Sequence, residues 1–272
     1  MSIAAARDRF LSDLRIRPLI MGILNVTPDS FSDGGRHDAP AAALDHAAAM
    51  VADGADVIDL GGESTRPGAA PLGAAEEIAR VCPVLERLCA EGGVPVSIDT
   101  YKAATARAAV AAGASIVNDV WGLQHDPEMA AAVAETGAAV VIMHNRAETD
   151  PDLDILHDLE RFFECSLDLA RRAGIPGERI LLDPGIGFGK TLAQNIACLN
   201  GLDWLGSWGY PVLLGLSRKR MFGDLLGRPL EQRLAGTLAA NLEGIARGAR
   251  VIRVHDVAEH ADALKVGAAL AR

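Results

Sequence analysis

The chain has 272 residues, with 26 Lys+Arg against 36 Asp+Glu for a formal charge of -10, and half of it is hydrophobic. Disordered chains combine low hydrophobicity with high charge, so this one folds. Its acidity excludes a nucleic-acid partner held by bulk charge, because phosphate binders carry a basic footprint. The length suits one large α/β barrel or two ordinary domains.

The first 18 residues, MSIAAARDRFLSDLRIRP, mix Arg and Asp through every turn and contain no continuous apolar stretch, so they read as an extension packing on the fold and not as a secretory signal. Eight apolar runs follow: LIMGILNV (19–26), ADVIDLG (55–61), PVSID (95–99), SIVNDV (115–120), AVVIMH (139–144), ILLDPG (180–185), PVLLGLS (211–217) and VIRVHD (251–256). Each is apolar nearly throughout, as parallel strands covered on both faces are. Amphipathic segments of helical length alternate with them at roughly 39–53, 73–91, 101–112, 126–136, 155–174, 192–207, 229–248 and 257–271. Several end at a glycine placed as a helix C-cap: Gly54, Gly92, Gly113, Gly137, Gly174 and Gly248. Eight βα units over residues 19–272 make a (β/α)8 TIM barrel of one domain, with an open doubly wound sheet as the competing α/β architecture.

The longest apolar runs are about half of the roughly 20 residues that a membrane helix needs. The expectation is therefore a cytoplasmic protein. The cysteines Cys82, Cys89, Cys165 and Cys198 contain no C-x-x-C pair and read as reduced, buried residues.

Polar residues collect where the runs end: Asn25 before TPDSFSDGG, Gly61 before GESTRPG, then Asp99, Asn118-Asp119, His144, Asp183-Pro184-Gly185, Ser217-Arg218-Lys219, and Arg253 with His255-Asp256. In a barrel these ends share one mouth, where active sites form. Three patterns fail as motifs. DPGIGFGKT (183–191) has Pro184 where a phosphate loop needs glycine; neither GESTR nor GLSRK is a nucleophile elbow; the seven histidines show no metal-ligand spacing. What remains is Asp99, Asn118 and Asp183, one lysine (Lys219), and the anion-binding candidates Arg66, Arg253 and His255. Carboxylates can accept paired N–H groups from a guanidine-like edge, and an amide offers both donor and acceptor, a set suited to a pterin or purine ring.

NVTPDSFSDGG (25–35), GGESTRPG (61–68), SIDT (97–100), VNDV (117–120), LDPGIGFGK (182–190), GLSRK (215–219) and RVHDV (253–257) together resemble the dihydropteroate synthase family, from about residue 19 to the end. The resemblance implies a condensation of (7,8-dihydropterin-6-yl)methyl diphosphate with 4-aminobenzoate, releasing diphosphate. It implies that Asp99, Asn118 and Asp183 hold the pterin edge, that Lys219 meets the pterin carbonyl, and that Met143 lines the slot. Asn25 would contact Mg2+, while Thr65, Arg66, Arg253 and His255 would cradle the diphosphate. Asp33 would stabilise a cationic intermediate, and Phe31, Thr65, Pro67, Phe188 and Ser217 would wall the aminobenzoate pocket. The loops SDGGR and GGESTRPGAAPLG have the composition of mobile lids. A homodimer through the last helices is also implied. One departure stands out: many members carry serine after Ser-Arg-Lys, where this chain has Arg220. Two other readings share the pterin slot, a methyltransferase of the methyltetrahydrofolate kind and a catalytically silent pterin-binding paralogue; neither needs the diphosphate cradle.

Overall fold

The computed structural model describes residues 1–26, 39–63 and 71–270. Its elements run α1 (Ile3–Ile16), β1 (Leu19–Asn25), α2 (Ala39–Asp53), β2 (Val57–Gly61), α3 (Ala74–Glu91), β3 (Val96–Asp99), α4 (Ala103–Ala111), β4 (Ile116–Asp119), α5 (Met129–Thr136), β5 (Ala139–Met143) and α6 (Ile155–Ala173). They continue with β6 (Ile180–Asp183), α7 (Leu192–Asn200), α8 (Leu202–Gly206), β7 (Val212–Leu214), α9 (Arg220–Leu226), α10 (Leu234–Ala246), β8 (Ala249–Val254) and α11 (Val257–Leu270). The strands form a closed barrel in sequence order, every pair parallel, with β8 returning to β1. The open doubly wound sheet is thereby excluded.

The apolar runs explain the closure, because each strand has an inner and an outer face to cover. Outward residues such as Ile20, Leu24, Ile58, Leu60, Ile98, Val140, Ile142 and Leu182 pack with the helices into the larger core. Inward residues Leu19, Met21, Val57, Ile116, Ala139, Val141, Leu181, Leu213 and Val251 fill the N-terminal half of the barrel, and Phe10 and Leu14 of α1 complete that cluster. The N-terminal extension is thus a helix that plugs the bottom. It is tied there by Arg7, which donates to the Gly137 carbonyl at 2.6 Å, and by Arg17, which pairs with Asp56.

The six expected C-cap glycines all have positive φ, between 71° and 117°. Three local details differ from the sequence expectation. The segment 192–207 is two helices parted at Gly201, β7 is a three-residue strand with an irregularity at Val212/Leu213, and an extra helix, α9, follows Lys219.

Candidate active site

Side chains alternate along a strand, so the parity that buries Met21, Val57, Ile116, Val141, Leu181 and Val251 inside the barrel carries on to Asn25, Asp59, Asn118, Met143, Asp183 and Arg253 nearer the C-terminal mouth. Register sets them side by side: Asn25 beside Gly61, Gly61 beside Asp99, Asp99 beside Asn118, and Met143 beside Asp183. Apolar layers below and a polar layer above are the division of labour that a barrel enzyme needs.

Arg253 is the hub of one side. Its Nε donates to Asp59 Oδ2 at 2.5 Å and its terminal nitrogen to Asp99 Oδ2 at 2.7 Å, so the guanidinium lies on the side of the mouth that carries Asp99 and Asn118. Asn118 Nδ2 donates to the same Asp59 oxygen at 3.2 Å. These bonds leave Asp99 Oδ1, Asn118 Oδ1, Asp59 Oδ1 and the Ser97 hydroxyl buried without a partner. Uncompensated buried acceptors are costly, by about 1–3 kcal/mol each, so oxygens clustered on three adjacent strands mark a place for a donor-rich ligand.

Across the mouth, Asp183 anchors its own loop by accepting from the Gly185 amide at 2.7 Å. Lys219 donates to the Ile186 carbonyl, and its ammonium faces the Phe188 ring at 4.5 Å. Gly215 leaves space between the two: a Cβ there would lie 3.8 Å from Asp183 Oδ2 and 4.0 Å from Lys219 Nζ. Arg218 adopts φ +57° and clasps Asp256, tying the turn after β7 to the end of β8. On that rim Ser217 accepts from the His255 amide at 3.1 Å and meets its Nδ1 at 2.9 Å.

Titration follows burial. Burial pushes Asp99 up to about 7, with Arg253 opposing and Asp59 adding to the rise. Burial likewise raises Asp183 against the pull of Lys219, and lowers Lys219 to about 7 against the pull of Asp183. Burial works against the charge of Arg253, but Asp59 and Asp99 outweigh it and hold the guanidinium above its ordinary value. Groups displaced in opposite directions within one mouth are a mark of function.

Asp99, Asn118, Asp183, Met143, Lys219 and Arg253 therefore share the C-terminal mouth of the barrel, with Asn25, Phe188, Ser217 and His255 on its rim. Phe31, Asp33, Thr65, Arg66 and Pro67, the first loop expected to act as a lid, and residues 64–70 of the second lie outside the described residues. Arg220 is nine-tenths exposed and lies 3.6 Å from Asp224, one turn along α9. Asp119 serves its own loop, accepting from the amides of Trp121 and Leu123. Two contributors were missed by reading strand ends. Asp59 lies two residues inside its run. Glu63 accepts from Lys102, from Tyr101 Oη at 2.9 Å and from the Leu72 amide at 3.3 Å, so one carboxylate joins the residues on either side of 64–70.

Among the described residues no cluster of three or more His, Cys, Asp or Glu could hold a metal. The donor set at Asn25 is one amide oxygen beside a glycine, Gly61, whose missing side chain leaves room: a Cβ there would stand 3.2 Å from Asn25 Oδ1. That suits an ion that keeps its waters and takes phosphate oxygens, as magnesium does.

A closed parallel barrel with a donor-accepting mouth of this kind is that of a pterin-binding enzyme, and the family model described as "Pterin binding enzyme" matches residues 21–255. A relative from Bacillus subtilis named dihydropteroate synthase is 51% identical over 92% of this chain and 87% of its own length. The crystal structure of dihydropteroate synthase from Clostridium difficile in the presence of pteroic acid superposes with a TM-score of 0.91 at 48% identity, covering 94% of this chain and 97% of that one. That of Xanthomonas albilineans with 4-aminobenzoic acid has a TM-score of 0.90 at 49% identity, covering 93% of each chain. The chain belongs to the dihydropteroate synthase family of enzymes, which sets aside the methyltransferase alternative.

Proposed function

We propose that the protein condenses (7,8-dihydropterin-6-yl)methyl diphosphate with 4-aminobenzoate to give 7,8-dihydropteroate and diphosphate. The observation that carries this reading is the pair of buried, open acceptors, Asp99 Oδ1 and Asn118 Oδ1, side by side on β3 and β4 at the barrel end that also carries Asp183 and Lys219. A pterin edge supplies N–H donors for the carboxylates and the amide, and its carbonyl takes the ammonium of Lys219. Met143 covers the ring from β5.

The bond to be broken is the exocyclic C–O bond. Electron release from the dihydropterin ring expels diphosphate first, the aminobenzoate nitrogen then bonds to the methylene carbon, and that nitrogen loses one proton. Charge develops at the ring and on the leaving group, and groups fixed beforehand at both places lower the barrier most. Asp33 is assigned to the ring cation; Arg66, Thr65 and His255 to the diphosphate; Phe31, Pro67, Phe188 and Ser217 to the aminobenzoate. Arg253, expected from the resemblance to cradle the diphosphate, instead serves the ring side by pairing with Asp59 and Asp99. Asn25 would hold Mg2+, whose charge offsets that of the diphosphate when bound.

A homodimer is part of this reading, supported by Leu225, Leu226, Leu230, Leu242, Val266 and Leu270, apolar side chains exposed on and between the C-terminal helices. Equilibrium sedimentation checks it. No helix among the described residues is long and apolar enough to cross a membrane, and all four cysteines are unpaired, as a reducing cytoplasm keeps them. The reaction is tested by diphosphate release from the pterin diphosphate in the presence of magnesium, with and without 4-aminobenzoate. Release in the presence of the amine is expected; none under either condition overturns the proposal.

A further inference from the structure

Lys190 ends the DPGIGFGK run that fails as a phosphate loop, and its ammonium is committed elsewhere. It is 8% exposed and turns back into the segment before it, donating to the Gly185 carbonyl at 2.8 Å and the Phe188 carbonyl at 3.1 Å. Its third contact is His144 Nδ1 at 2.8 Å. Three donors meet three acceptors, so no proton remains for a substrate. The backbone can gather this closely because Gly185, Gly187 and Gly189 have φ of +63°, +84° and +58°. A Cβ on Gly185 would collide with the His144 carbonyl oxygen, and one on Gly189 with that of Arg146.

The chemistry of an ammonium settles the histidine tautomer, since it can only donate. His144 Nδ1 is therefore the lone pair, and Nε2 carries the proton that goes to Asp158 Oδ2 at 3.0 Å, an oxygen that Arg146 also reaches at 2.8 Å. Burial, helped by Lys190, lowers the His144 ring to about 3, so this neutral form holds across the working range. A chain Arg146–Asp158–His144–Lys190 thus locks the 185–189 loop to the end of β5 and the start of α6.

We infer that Lys190 is a positioning residue that sets Lys219 and Phe188 through the loop it folds. The link is short. The loop supplies the Ile186 carbonyl to Lys219 Nζ and the Phe188 ring to the same ammonium, and a Cβ on Gly187 would stand 3.0 Å from Lys219 Cδ. The inference rests on the reading of Lys219 as the pterin contact, and Lys190 itself touches no substrate group.

A double-mutant cycle on the full chain tests it, with 6-hydroxymethyl-7,8-dihydropterin, which has no leaving group, as the calorimetric probe. Lys190→Met and Lys219→Met are each expected to weaken binding tenfold or more, while adding Lys190→Met to Lys219→Met changes affinity less than threefold, because the two act through one contact. A purely structural role would instead give its full loss in both backgrounds. That result, or wild-type affinity in folded Lys190→Met, overturns the inference. Should Lys190→Met fail to fold, His144→Leu, which removes the Nδ1 acceptor and leaves the ammonium, enters the cycle under the same criteria. If the unmodified protein does not bind the probe, or Lys219→Met binds it normally, the functional reading of the site fails first.

Discussion

At Asp59 one carboxylate oxygen accepts both the Arg253 Nε–H and the Asn118 amide, and an oxygen that accepts from a guanidinium offers the amide no proton. The amide of Asn118 must therefore turn its NH2 inward and leave Oδ1 for the ligand. Asp59→Asn removes that constraint, and pterin affinity measured by calorimetry is expected to fall about tenfold, as loss of a hydrogen bond to a charged group does; unchanged affinity would sink this role. Asp99 carries a second expectation. Its carboxyl is raised on folding to about 7, chiefly by burial, so the folded state holds its proton more tightly than the unfolded one. The stability this contributes is full below the unfolded value near 4 and is lost as pH rises through 7. Asn imitates the protonated form, so Asp99→Asn is expected to melt higher than the parent at pH 8, with the advantage shrinking as pH falls toward 4, and to bind pterin worse at either pH. A lower melting temperature at pH 8 would mean that pairing with Arg253 outweighs burial. Asp33→Asn is expected to cut turnover by roughly 10²-fold, as loss of a transition-state charge partner can; near-normal turnover refutes its assignment to the ring cation. Asp99, Asn118, Asp183 and Lys219 were legible because they terminate apolar runs. Asp59 was not: it sits within ADVIDLG, and only counting back in twos from Gly61 reveals that it faces the same interior.

The strands were legible as elements because burial on both faces leaves little room for polar residues, and the helices because glycine marks their ends. Legibility failed where tertiary contacts rule. At Gly201 the chain leaves α7 and enters α8 at once, its amide bonding to Ala197 and its carbonyl to the Leu205 amide, so a single amphipathic stretch becomes two short helices. Helix α9 was hidden because a seven-residue helix after a positive-φ arginine has too little periodicity to register. Packing of α10 on β7 offers a test at this scale. A Cβ added at Gly244 would overlap Leu214 Cδ2 and approach Leu202 at 3.5 Å. Gly244→Ala gains about 1 kcal/mol of helix propensity but overpacks a buried seam, which costs about 1–3 kcal/mol. Crowding is expected to win, and thermal denaturation should show a lower midpoint; a higher one would show that Leu214 can move aside.

For the whole molecule, a charge of -10 stands beside a substrate reading with two anionic partners. The two are compatible because binding follows the local field while net charge bears on solubility; Arg253 and Lys219 already face Asp59, Asp99 and Asp183, so in the reaction proposed above the anions rely on Arg66, His255 and Mg2+. The largest single contribution to the barrel's lower half from outside the strands is Phe10, 1% exposed on α1. Phe10→Ala is expected to cost about 3–5 kcal/mol of stability, as such truncations do, while leaving pterin affinity of the folded protein unchanged. A loss of affinity without a loss of stability would contradict the separation of apolar and polar layers. The same plug has a kinetic consequence. With Phe10 and Leu14 sealing one end, the described residues leave the barrel a single doorway, so a molecule that enters must leave past the same rim. In the reaction proposed above the pterin lies deepest and the aminobenzoate nearer the rim, so the pterin must enter first and the joined product must clear the doorway before the next pterin can. An excess of aminobenzoate over an empty well should then slow the cycle by standing in that doorway.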